Sequence, residues 1–236
     1  MAADDKGTGR NDPPPARTTR HSRRRFLVLG GSLIAGLAAA VKLGLWGAGG
    51  SRSHIPASAS NRLRSLLESF PVLNVESRPD VPPEKWVIAV DGLVDKPLTV
   101  DYATWKKLAR KDELVDFHCV EGWSVDNVTW GGVPPSVLLA RAKVRPEGKF
   151  VTFHAYGGRY TDSLPLADAT SPQTLLADTL DGEPLPAEHG GPVRLVIPSQ
   201  LGYKNVKWVD RLEVTAEQAT GYWEQRGYSV NAPVPG

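Results

Sequence analysis

From Phe70 onward, apolar and polar positions come in short blocks whose period keeps changing. Lys85–Val90 (KWVIAV) reads as a strand closed by the turn-forming pair Asp91-Gly92. Residues 102–109 have helical spacing, with Thr99 or Asp101 as the cap. Leu114–Cys119 is short and partly alternating, a strand that runs into a loop. Pro134-Pro135 opens a helix over residues 137–142, because proline is tolerated in a first turn. Residues 149–154 read as a strand and 164–169 as a helical turn. Residues 175–180 form a strand before a second Asp-Gly turn. Residues 193–197 form a buried strand ended by Pro198, and 206–215 a last long strand. Strands and helices interleave without regular βαβ spacing, so the pattern predicts a single mixed domain of α+β class, not a doubly wound sheet. No glycine-rich fingerprint follows a strand, which leaves a dinucleotide site without support.

The pattern ahead of Phe70 is different. Ser22-Arg23-Arg24-Arg25-Phe26-Leu27 precedes a Gly- and Ala-rich apolar run from Phe26 to Val41. A charged region followed by a short apolar one is an export signal, and paired arginines before Phe-Leu resemble the twin-arginine type. Residues 1–48 are expected to be that signal or a membrane anchor, with Ala57-Ser58-Ala59 as an A-x-A cleavage sequence downstream. Residues 49–69 are expected to be a linker, Gly-, Ser- and Ala-rich at first, with a short amphipathic helix over Asn61–Ser69. The domain is expected over 70–236. The protein is then expected in the periplasm or on the outer face of the cytoplasmic membrane.

Composition and charge narrow the function. With 236 residues and 41% hydrophobic content the chain can build one real core. Its net charge of +2 misleads. Residues 1–25 carry seven basic and three acidic side chains, and the remainder carries 21 basic against 23 acidic. The basic character belongs to the leader and gives no case for nucleic-acid binding.

There is one cysteine, Cys119, inside DFHCVEGW (residues 116–123). Four roles compete for it. It can be a buried structural thiol. It can be a nucleophile with His154 or His189 as base, although its flanks match no cysteine-protease signature. It can serve copper, although the only methionine is Met1 and no histidine follows closely. Finally, it can be the thiolate ligand of a metal that brings its own organic ligand, so that one protein donor suffices.

Cys119-Val120-Glu121-Gly122-Trp123-Ser124, followed by Trp130-Gly131-Gly132-Val133-Pro134, resembles the molybdopterin-binding domain of the sulfite oxidase family. It is similar to the exported single-domain branch that includes the periplasmic methionine-sulfoxide reductase catalytic subunit. WVIAVDGLVDKP (86–97), GRYTDSLPL (158–166), LDGEPLP (180–186), HGGPVRLVIP (189–198), GYKNVKW (202–208), GYW (221–223) and RGY (226–228) continue the resemblance in order.

The resemblance implies molybdenum–molybdopterin as cofactor and Cys119 as the metal ligand and catalytic centre. It implies Arg194 as partner of the cofactor phosphate, and Lys204, Asn205, Val206 and Lys207 as a second anion-binding loop. His189, and more weakly His154 and Asn74, are implied as further cofactor contacts. Gly131 and Gly132 are expected to permit close backbone approach, and at least one of Trp123 and Trp130 to be core. His118 is left without a role.

The implied reaction is oxygen-atom transfer, in the direction of S- or N-oxide reduction, on a small molecule or an oxidised side chain. No haem-attachment CxxCH sequence is present, so electrons are expected from a separate protein, a membrane haem protein or a cytochrome. The twin-arginine machinery is a further expected partner. About twenty residues follow Val214, too few for the immunoglobulin-like domain often found in sulfite-oxidising members. Two alternatives stand beside this reading: oxidation of sulfite or a related reductant, and a cofactor-free binding protein on the same fold.

Overall fold

The computed structural model describes residues 60–235. The expectations for the leader and anchor fall outside these residues. Among the described residues no helix is long and apolar enough to cross a membrane.

Two sheets organise the molecule. In the first, β1 (Val87–Gly92) lies between β2 (Leu98–Asp101) and β10 (Val209–Thr215). β5 (Phe150–Ala155) and β6 (Thr161–Pro165) continue it from β10. Every pairing is antiparallel except β1 with β10, which is parallel. The second sheet runs β3 (Lys111–His118), β4 (Ser124–Val133), β7 (Leu175–Leu180) and β8 (Glu183–Pro184), with β9 (Arg194–Val196) also paired to β7. The expected α+β class is what the chain adopts.

Side-chain alternation on β7 explains how the layers stack. Leu176 joins a cluster with Ile88, Val90, Phe153 and Leu212 of the first sheet. Leu175 and Ala177, one position either side, join the opposite cluster with Phe117 and Trp130. The main core also takes Leu138, Leu139 and Ala142 from α3 (Pro135–Ala142), preceded by Pro134.

Helix α1 (Asn61–Ser69) covers the second cluster. Ser60 caps it, accepting from the Leu63 N–H at 3.1 Å. Leu63 and Leu67 are buried four residues apart on one face, each contributing about 1.5–3 kcal/mol of apolar transfer. The helix expected over Asn61–Ser69 thus packs into the second cluster.

Several elements differ from expectation, among them the strands β2 and β6, which the sequence pattern did not predict. The helix after Asp101 is one turn, α2 (Tyr102–Trp105), because the buried Trp105 donates its indole N–H to Asp178 at 2.9 Å and the chain turns away to start β3. β10 starts at Val209, not Val206, because Trp208 sits at φ 55° and breaks the strand. β4 has no counterpart in the sequence reading. Its alternation is interrupted at Asn127 (φ 55°) and by register shifts against β3 and β7. The turn expected over 164–169 is α4 (Leu166–Ala169), because Leu164 and Pro165 complete β6.

Candidate cofactor site

β3 and β4 form a hairpin, and Cys119 stands at its tip. Its N–H donates to the Trp123 carbonyl at 2.9 Å, and the Gly122 N–H returns to the Cys119 carbonyl at 3.0 Å. Gly122 is at φ 87°, a conformation that favours glycine, so the turn selects this residue. The thiol is half-buried. Burial, with the Glu121 carboxylate adding to it, pushes it up to about 11. Such a thiol keeps its proton, unlike a nucleophile poised as thiolate. His118 turns its Nδ1 to Ser124 Oγ at 2.8 Å across the hairpin. A bound metal cation would reverse the balance and hold the sulfur deprotonated.

Beneath the tip lies an aromatic floor. Phe70 contacts Phe117, Trp123, Trp130 and His189 at ring-centroid distances of 4.9, 6.1, 6.1 and 5.0 Å. Trp130 is the fully buried tryptophan of the pair flanking Cys119, and Trp123 is half-exposed. Gly132 makes the close approach expected of it: a Cβ there would stand 2.1 Å from the Leu176 carbonyl oxygen.

Cations converge on this floor. Arg194, at the start of β9, is 1% exposed, with its guanidinium 5.0 Å from the Trp130 ring and 5.5 Å from the Phe117 ring. Its Nη1 donates to the His189 carbonyl at 2.8 Å and its Nη2 to the Asn205 carbonyl at 3.4 Å, while its Nε has no partner. Among the described residues no carboxylate pairs with it. Burial pulls its pKa down to about 10. Lys207 donates to Asn74 Oδ1 at 2.7 Å, to the Glu188 carbonyl at 2.9 Å and to the Leu73 carbonyl at 3.1 Å. Burial and then the Arg194 charge bring it down to about 7. His189 is 1% exposed, and burial followed by the charges of Lys207 and Arg194 lowers it to about 3. It is neutral, and its Nε2 has no partner.

An uncompensated buried guanidinium is costly, and orphaned buried polar atoms are rare. Arg194 Nε, His189 Nε2 and Trp130 Nε1 are all unsatisfied here. These are donors that an anionic group such as a phosphate would satisfy, and Lys207, whose three N–H groups already donate to Leu73, Asn74 and Glu188, adds its charge.

The structure thus brings Asn74, His189, Arg194, Asn205 and Lys207 into one group and links it to the Cys119 hairpin through Phe117. Asn205 contributes its carbonyl to Arg194, while its side-chain Oδ1 accepts from the Ile197 N–H at 2.7 Å. Val206 is buried in the core and its carbonyl accepts from the Leu195 N–H. Lys204 takes another direction. It is wholly buried and ion-paired with both Asp162 and Glu224, so its ammonium is already neutralised and is not a free anion ligand. His154, on β5, pairs through Nε2 with Glu213 at 3.0 Å. Among the described residues no hydrogen bond or ring contact joins it to the Arg194 group.

Tyr228, given no role above, packs on Tyr203 and Trp223 at 5.3 and 4.9 Å. Burial raises its phenol pKa, and the charges of Glu121 and Cys119 add to the shift. Its block, Arg226-Gly227-Tyr228, was among the matched segments, but nothing in the spacing tied it to Cys119. A groove of about 650 Å³ opens elsewhere, between α1 and the β3–β4 hairpin, and includes neither Cys119 nor Arg194.

The family model described as "Oxidoreductase molybdopterin binding domain" matches residues 75–223. This chain belongs to that family. Molybdopterin is accordingly the cofactor of this domain, and the chain is an oxidoreductase of the sulfite oxidase family. Among curated relatives, the uncharacterized oxidoreductase YuiH of Bacillus subtilis is 39% identical over 172 residues, covering 71% of this chain and 84% of YuiH. The protein-methionine-sulfoxide reductase catalytic subunit MsrP of Campylobacter jejuni is 31% identical over 157 residues, 60% of this chain and 52% of MsrP. The solved sulfane dehydrogenase SoxCD of Paracoccus pantotrophus superposes with a TM-score of 0.57 at 28% identity, over 62% of this chain and 42% of the SoxCD chain. The chain therefore spans about half the length of MsrP and less than half of the SoxCD chain. The fit of the unpaired cations and orphaned donors to an anionic cofactor agrees with membership.

Proposed function

We propose that this chain is an exported oxo-transfer enzyme that reduces S- or N-oxides, holding molybdenum–molybdopterin with Cys119 as the metal's protein ligand and taking electrons from a separate redox protein. One observation carries the reading most: the buried Arg194, without a carboxylate, shares its aromatic floor with the hairpin that presents the only thiol. When bound, the cofactor supplies a metal that cycles by two electrons while an oxygen atom moves to or from the substrate. The protein's part is to grip and shield. Arg194 and Lys207 hold the anionic end, His189 Nε2 and Trp130 Nε1 offer further polar contacts, and Phe70, Phe117 and Trp130 exclude water beneath it. We assign Tyr228, whose phenol feels the Glu121 and Cys119 charges, as the donor of a hydrogen bond to a substrate oxygen.

The likeness to a methionine-sulfoxide reductase subunit favours reduction. The likeness to a sulfane dehydrogenase supports a second reading, oxidation of a reduced sulfur compound. Assaying the holo-protein with methionine sulfoxide plus a reduced dye, and with sulfite plus an electron acceptor, separates them. The first is expected to turn over. Metal analysis of protein exported by a molybdopterin-competent host should find molybdenum, lost in Cys119→Ala. Full retention in that variant would remove Cys119 as the ligand. The paired arginines Arg23-Arg24 motivate the export route, and their replacement by lysines is expected to leave the protein in the cytoplasm.

A further inference from the structure

Lys204 and Lys207 lie three residues apart on one loop, yet they serve opposite sides of it. Lys207 reaches the Asn74–Glu188 side with Arg194 nearby. Lys204 points into a closed, dry cluster with Asp162 of β6 and Glu224, all 8% exposed or less. Glu224 lies in a 3-10 turn (Glu224–Arg226) and also accepts, through its other oxygen, from the Gly221 N–H at 2.8 Å. Asp162 Oδ2 has no donor.

The same loop grips this segment at further points. Tyr203 donates its hydroxyl to the Ser229 carbonyl at 2.6 Å, and the Leu201 N–H donates to the Ala232 carbonyl at 2.8 Å. At the β6 end, the Tyr222 N–H donates to the Thr161 carbonyl at 2.9 Å and the Tyr222 ring stacks on Tyr160 at 5.2 Å. Segment 221–229 therefore has anchors at each end and a buried ionic one in the middle. Tyr228 rides on it, packed on Trp223 and Tyr203 at 4.9 and 5.3 Å.

We propose that Lys204 is a positioning residue: through Asp162 and Glu224 it latches segment 221–229 in place and so sets where Tyr228 packs on Trp223 and Tyr203. Because the next residue, Asn205, gives its carbonyl to Arg194, the loop also ties the placement of that segment to the arginine of the cofactor group. The latch itself is independent of the oxo-transfer reading. Only its effect on turnover rests on that reading.

The test uses the full chain and hydrogen exchange read by mass spectrometry, which needs no turnover. In Lys204→Met, amides of 221–229 are expected to exchange about 10- to 100-fold faster, the scale of one lost charged hydrogen bond, while β5 and β10 stay protected. Where loss of the lysine unfolds the chain, visible as exposure of β5 and β10, Glu224→Gln takes its place. It leaves Lys204 paired with Asp162 and is expected to loosen the same segment by a smaller factor. Molybdenum content should be unchanged in the folded variant. In holo-protein, Tyr228→Phe should cost much less activity in the loosened background than in the wild type, since the phenol is already misplaced there. Unchanged exchange of 221–229 overturns the latch. Molybdenum loss with unchanged exchange would make Lys204 a cofactor ligand instead. Additive costs of the two substitutions would remove Tyr228 as the positioned group. Failure of the wild-type oxo-transfer assay, with exchange behaving as expected, would instead fault the functional reading alone.

Discussion

At the scale of single residues, the site is held ready at a cost to stability. Among the described residues, the buried charge of Arg194 meets carbonyl oxygens and ring faces but no carboxylate. Replacing even a buried ion pair by apolar side chains of similar volume is often neutral or stabilising by about 1–4 kcal/mol, and a buried charge without a counter-ion has less attraction to lose. Arg194→Met is therefore expected to leave the apo-protein as stable or more so in urea unfolding, and to lose molybdopterin. Lys207 has a second consequence. With its pKa brought down to about 7, it is largely neutral at pH 8, and an arriving anion favours its charged form. Binding of inorganic phosphate to apo-protein at pH 8 should take up protons, measured by calorimetry in two buffers of different ionisation enthalpy. Cys119, Arg194 and Lys207 could be singled out in the sequence because their blocks are distinctive. The separation of Lys204 from Lys207 was not, because it depends on Asp162 and Glu224, which are distant in the chain.

At the scale of elements, the hairpin and its neighbours decide the geometry. β4 approaches β7 so closely at Gly132 that any Cβ meets the Leu176 carbonyl. Gly132→Ala must push these strands apart, at a cost of about 1–3 kcal/mol by analogy with overpacked cores. A lowered urea midpoint with an unchanged slope is the expected result. β7, α3 and helix Asn61–Ser69 were legible because each has one clean period. β4 was not, because its bulges break alternation and its glycines look like a loop. The helix expected to 109 ended at Trp105 because the buried carboxylate of Asp178, far along the chain, captures its indole.

At the scale of the whole molecule, protonation of the buried cluster enters the stability of the fold. Burial raises Asp162 to about 7, against an ordinary 3.8, with Glu224 adding to the shift and Lys204 opposing it. Between these values the folded chain holds a proton that the unfolded chain releases. Stability from this group is therefore fullest below about pH 4 and declines as pH rises to about 7. His189 acts the other way: its lowered pKa costs stability as pH falls below 6.5. The Asp162 contribution is isolated by comparison with Asp162→Asn. The difference in unfolding free energy between variant and wild type should change steadily from pH 4 to 7 and level off above.

The parallel contact of β1 with β10 has a consequence for synthesis. β10 is the middle strand of its sheet, flanked by β1 and β5, yet it emerges after both. Until it arrives, β1–β2 and β5–β6 are two separate hairpins with no strand between them, and the loop carrying Asn205 and Lys207 has no β10 to anchor it. The first sheet can therefore be completed only once β10 has been made, so its closure waits on a strand that follows residue 208.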